Sequence, residues 1–130
     1  VKILFTQTTT DGILKYHLKP TRTTDGLMEI QYNADNETLT VRRQGRLDTL
    51  ACRELTEALD RQWADGAAAG ERLRAVFDLA GVDFVFSAFF RVCMSTARRL
   101  APGHFAIVNA SQEVKRAFHL VELDYFFQVN

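Results

Sequence analysis

The stretch Phe77-Asp78-Leu79-Ala80-Gly81-Val82-Asp83-Phe84-Val85-Phe86-Ser87-Ala88-Phe89-Phe90 constrains this chain more than any other. It continues an apolar strand, Leu73 to Phe77, through a short loop into a helix led by a single serine. A strand this apolar belongs in the middle of a sheet, where neighbouring elements cover it. Strand followed at once by helix is the unit from which layered α/β domains are assembled.

The rest of the chain from Leu27 repeats that order. Met28 to Tyr32 and Thr38 to Arg43 read as strands joined at Ala34-Asp35-Asn36-Glu37. After Asp48-Thr49, the positions Cys52, Leu55, Leu59 and Trp63 recur at helical spacing, and Gly66 offers a stop before Ala67-Ala68-Ala69. In the helix after Ser87, Phe90, Cys93, Met94, Ala97 and Ala101 are expected to share the inward face, with an end at Pro102-Gly103. A strand from Phe105 to Asn109 follows, then a helix capped by Ser111 with Val114, Ala117, Phe118 and Val121 turned inward. Tyr125 to Val129 reads as a closing strand. The alternation predicts an α/β fold, a small mixed β-sheet with its helices packed on it.

Residues 1–27 have a different pattern. Lys2 to Phe5 and Ile13 to Leu18 flank Thr8-Thr9-Thr10-Asp11-Gly12, a β-hairpin signature, and Lys19 to Gly26 reads as a linker. The expected division is therefore an N-terminal hairpin and linker over 1–27 and the α/β domain over 28–130. A two-stranded unit is marginal alone in water, so an edge of the main sheet or a second subunit must cover it.

Composition narrows the function. Sixteen basic residues balance sixteen acidic ones, which leaves no overall field to draw the chain to nucleic acid or to a membrane surface. The basic pairs Arg98-Arg99 and Lys115-Arg116 read as solvated helix faces. No apolar run is long enough to span a bilayer, and no signal peptide is visible, so a cytoplasmic location is expected. Cys52 and Cys93 lie far apart and outside any C-x-x-C pair, as reduced core thiols would. His17, His104 and His119 have no metal-ligand spacing, and neither a G-x-S-x-G elbow nor a phosphate-binding loop is present. The expectation is a protein without metal, cofactor or catalytic residues.

Four strings, taken together, resemble the STAS domain of bacterial anti-sigma-factor antagonists over roughly residues 28–129. They are Gly45-Arg46-Leu47-Asp48, Phe77-Asp78-Leu79-Ala80-Gly81-Val82, Val108-Asn109-Ala110-Ser111-Gln112-Glu113-Val114-Lys115-Arg116 and Leu123-Asp124-Tyr125-Phe126-Phe127. The resemblance implies a STAS-like fold carrying the hairpin as an extension. It also implies a protein-binding role in signal transduction and transcription regulation. The implied mode is partner switching: docking onto an anti-sigma factor or GHKL-type serine kinase, broken by phosphorylation of a serine at the start of the second helix. Ser87 matches that serine. Where the family usually has Asp-Ser-Ser-Gly, this chain has Phe86-Ser87-Ala88-Phe89, so the acidic residue and the glycine are both replaced by phenylalanine.

Each candidate carries two readings. Ser87 is a phosphoacceptor, or it caps the second helix. Phe86 and Phe89 are exposed anchors for a partner, or they are core. Asp48 contacts a partner, caps the first helix together with Thr49, or does both. The partner-binding set is thus Asp48, Thr49, Phe86, Ser87, Ala88 and Phe89. The alternative function is a degenerate STAS module acting as a constitutive scaffold or homodimer through the hairpin and the Phe86/Phe89 pair, without phosphorylation.

Overall fold

Leu39, Val41, Ala75, Phe77, Phe105 and Ile107 are all buried and alternate along three neighbouring parallel strands. That period of two sets one face of a sheet against the core. The computed structural model describes the backbone of residues 5–10, 13–18, 21–23, 26–64 and 72–130, and the side chains of 28–63 and 72–130. In order the elements are β1 (Phe5–Thr10), β2 (Ile13–Leu18), β3 (Thr21–Thr23), β4 (Gly26–Asn33), β5 (Thr38–Arg43), α1 (Thr49–Ala64) and β6 (Arg74–Asp78). Then come α2 (Ser87–Arg99), β7 (Phe105–Val108), α3 (Gln112–Leu120), a 3-10 turn (Leu123–Tyr125) and β8 (Gln128–Val129).

The strands form one mixed sheet in the order β1-β2-β4-β5-β6-β7-β8, with β3 also paired to β4. Pairing is antiparallel as far as β5 and parallel from β5 through β8. Each parallel step advances one strand in the same direction and carries one helix. Right-handed crossovers therefore place α1, α2 and α3 on the same face. The opposite face presents the half-buried row Gln31, Thr40, Val76 and Ala106. The core is dense in rings: Phe77 lies 4.8 Å from Phe105 and 6.0 Å from Phe89, and Phe118 lies 6.1 Å from Phe89. No described helix is long and apolar enough to cross a membrane.

Several expectations are corrected. Thr8 to Thr10 belong to β1 instead of a turn, and Thr21 to Thr23 of the expected linker pair with β4. Lys2 to Leu4, the turn at Asp11-Gly12 and the stop at Gly66 lie outside the described residues. In α2 the buried positions are Phe89, Val92, Cys93 and Thr96, while Phe90, Met94 and Ala97 are only half-buried. The stripe is displaced by about one residue, or 100°. Thr96 joins it because its hydroxyl donates to the Val92 carbonyl at 2.8 Å, which lets a polar side chain enter the core satisfied. Val121 is exposed at the C-cap of α3. The closing strand shortens to Gln128–Val129, because Tyr125 completes the 3-10 turn entered through Glu122 at φ 60°.

Candidate functional site

At the carboxyl ends of β5 and β6 the chain leaves the sheet in two loops that bond to each other. The Gly45 N–H donates to the Gly81 carbonyl at 3.1 Å, and both glycines have positive φ, 96° and 86°. An added Cβ on Gly81 would also meet Gln44 Cγ at 3.3 Å, so glycine is required here for both conformation and room. Further on, Leu47 N–H donates to Phe84 O at 3.1 Å, and Phe86 N–H donates to Leu47 O at 3.0 Å. These bonds make a parallel bridge between Leu47 and Val85. Leu47, Leu79, Val82 and Val85 are all buried and pin the paired loops from beneath. Asp78 closes the base, where its Oδ1 accepts from Ala80 N–H and from Asn109 Nδ2, each at 3.0 Å.

The bridge decides how α2 starts. Phe86 occupies the N-cap with extended backbone and gives no side-chain cap, and the first turn contains no acidic residue. Ser87 is the first helical residue. It is exposed, and its hydroxyl has no hydrogen-bond partner among the described residues. The expected capping role of Ser87 is therefore not the one it performs. Ala88 beside it is half-buried. Asp48 does cap α1: its Oδ1 accepts from Ala51 N–H at 2.8 Å. Thr49 is the exposed first residue of that helix, and the capping bond to Ala51 is accepted by Asp48.

Phe89 is 0% exposed and packs between Phe77 and Phe118, which corrects its reading as an exposed anchor. The aromatic pair presented at these loops is instead exposed Phe84 with half-buried Phe86, ring centroids 4.9 Å apart and planes at 77°. Phe84 is 50% exposed, and the Arg46 guanidinium lies 5.8 Å from its ring and 5.7 Å from that of Phe86. Sequence reasoning missed Phe84 and Arg46. The signal was present in Phe84-Val85-Phe86: in extended backbone the outer two share a face while Val85 points inward.

Between α1 and α2 an open groove of about 360 Å³ begins beside Thr49 and Ala88 and continues past Cys52, Arg91 and Ser95 to Trp63. Burial, followed by the nearby Asp48 charge, pushes the Cys52 thiol up to about 11, against a smaller opposing influence from Arg43. Burial also pushes Cys93 well up, so both thiols stay protonated and unreactive near neutral pH. His104 faces the Leu73 carbonyl and His119 faces Asp124, and no metal-ligating cluster occurs among the described residues.

A family model for the STAS domain matches residues 29–130. The chain belongs to the STAS domain family. Among solved structures, it is similar to an anti-sigma factor antagonist from Mycobacterium paratuberculosis. The two share 20% sequence identity with a TM-score of 0.59, over 98% of this chain and 85% of the other. That similarity shows the STAS fold. No curated protein matches the sequence. Within this STAS domain, Asp48, Thr49, Phe86, Ser87 and Ala88 lie together at the ends of the two bridged loops, while Phe89 lies beneath them in the core.

Proposed function

We propose that this STAS domain is a non-enzymatic, cytoplasmic regulator that binds an anti-sigma factor or GHKL-type serine kinase through the bridged loops, Ser87 and the adjoining face of α2. The observation that carries this reading is the exposed Ser87 at the first turn of α2, whose hydroxyl is not spent on a cap. In the regulated form, the kinase transfers the γ-phosphoryl group of ATP to Ser87 Oγ, with loss of the hydroxyl proton and release of ADP. The phosphoserine adds close to two negative charges, about −1.5 to −2 at neutral pH. The uncapped N-terminus of α2 accommodates that charge, and a partner surface selected for the neutral serine is repelled by it.

The expected result after incubation with such a kinase and ATP is a single phosphoryl group mapped to Ser87 by mass spectrometry. Loss of the complex in Ser87→Asp is expected to accompany it. No phosphate on Ser87, together with unchanged binding of Ser87→Asp, sinks the switch. The Phe84/Phe86 pair supports a second reading, a constitutive scaffold or homodimer held by apolar contact. Sedimentation separates the two readings, since a scaffold loses assembly on Phe84→Ser and a switch component does not assemble with itself.

A further inference from the structure

A second groove runs along the other side of α2, between it and the end of α3. Its cavity is about 680 Å³, floored by Phe90, Met94, Val121 and Leu123 and edged by Arg91, Arg98 and Arg99. Among the described residues no acidic side chain lines it, Glu122 between Val121 and Leu123 included. Arg99 also lines the groove, with its guanidinium 5.5 Å from the ring centroid of Trp63, which belongs to the first groove. The surrounding C-terminal segment exposes further apolar surface, with Leu120 at 74% and Phe126 at 64%. An apolar floor and an edge of arginines and Ser95 occur together in a chain whose formal net charge is zero.

We infer that this groove is a docking site for an acidic amphipathic helix of a partner protein. A concave furrow between two helices takes a third by ridges packing into grooves, with anchors at i, i+3, i+4 and i+7 entering between Phe90, Met94 and Val121. Glutamate or aspartate on the flank of that helix meets Arg91 and Arg98, which supply orientation and encounter rate. From Phe90 to Arg99 the lining part of α2 is about 14 Å long, enough for two to three turns of a partner helix. Concavity and a one-sided basic edge favour a helix over a flat anionic membrane. The site is independent of the Ser87 reading, because the loop residues Arg46, Phe84, Phe86 and Ser87 do not line it.

The test uses the full chain and a fluorescein-labelled peptide of about 14 residues, four helical turns. The peptide carries leucine and phenylalanine at the anchor positions and glutamate elsewhere. Fluorescence anisotropy is expected to give saturable binding tighter than about 100 μM, in the range of a small transient interface. Binding is expected to weaken about tenfold for the scrambled peptide and for Arg98→Glu. Arg98 is exposed, so this variant keeps the fold. Met94→Glu, confirmed folded by circular dichroism, is expected to weaken binding at least as much. Ser87→Asp is expected to leave it unchanged. Equal binding of peptide and scramble overturns the inference, as does indifference to Arg98→Glu. Absence of peptide binding overturns it too, whether or not the chain sediments with phosphatidylserine vesicles or forms a dimer that Met94→Glu disrupts.

Discussion

Two helices of this STAS domain begin next to a serine, and the two serines do opposite things. At α3, Ser111 stands at the N-cap, its Oγ accepts from Val114 N–H at 3.2 Å, and Glu113 adds an acidic group in the first turn. At α2, the Leu47–Val85 bridge holds Phe86 at the N-cap, so Ser87 falls one residue inside the helix with its hydroxyl outward. Ser111 is a structural part, whereas the start of α2 is held from below by Phe89 and from the side by the bridge. A serine relieved of capping keeps its hydroxyl outward, and little stability is expected to be lost when it is removed.

The comparison can be broken most forcefully at Phe89. Phe89→Ala is expected to destabilise the domain by about 3–5 kcal/mol, the usual range for emptying a buried ring site, measured by urea unfolding. A loss under about 1 kcal/mol would mean that the ring does not anchor α2. Next is the cap itself. Ser111→Ala is expected to cost roughly 0.5–2 kcal/mol in the same measurement, with Asp48→Ala in a similar range because it removes the equivalent bond in α1. Phe84→Ala is expected to cost about 0.5–1.5 kcal/mol through its edge-to-face contact with Phe86. Its larger effect is expected on partner affinity, read by titration calorimetry. The smallest change belongs to Ser87→Ala, expected within about 0.5 kcal/mol of the parent. If Ser87→Ala costs as much as Ser111→Ala, the two helix starts are alike and Ser87 is a cap.

The cysteines sharpen the same distinction between buried and presented groups. Cys52 has a folded-state pKa of about 11 against an ordinary 9.0, so its protonated form is favoured in the fold. Its contribution to stability is complete below pH 9 and is lost as pH rises through about 11. Denaturant melts of the parent and Cys52→Ala across that window are expected to diverge below pH 9 and converge above 11.

Much of the site could be read from residue order because its determinants are local. Gly45 and Gly81 mark positions that need positive φ, Asp48 and Ser111 precede amphipathic runs as caps do, β4 and β5 carry apolar alternation, and β6 and β7 are apolar runs. The misreadings share one cause, which is that hydropathy describes a side chain before its partners are known. Thr96 is no part of the expected inward stripe, yet it enters the core because its hydroxyl donates to the Val92 carbonyl, and the aromatic run Tyr125-Phe126-Phe127 reads as a strand. Only Phe127 of that run reaches the core, while Tyr125 is 82% exposed.

What the sequence determined unaided is the order of strands and helices from β4 to α3, and with it a mixed sheet. Local spacing specifies each element, and the handedness of parallel crossovers then leaves one face for the three helices. What only the tertiary structure decided is the rotation of α2 and the position of its first residue. Those depend on backbone bonds between loops nearly forty residues apart, Leu47 to Phe84 and Phe86, which no local pattern encodes. That long-range pairing buries Phe89, exposes Phe84 and turns Ser87 from a cap into a presented hydroxyl.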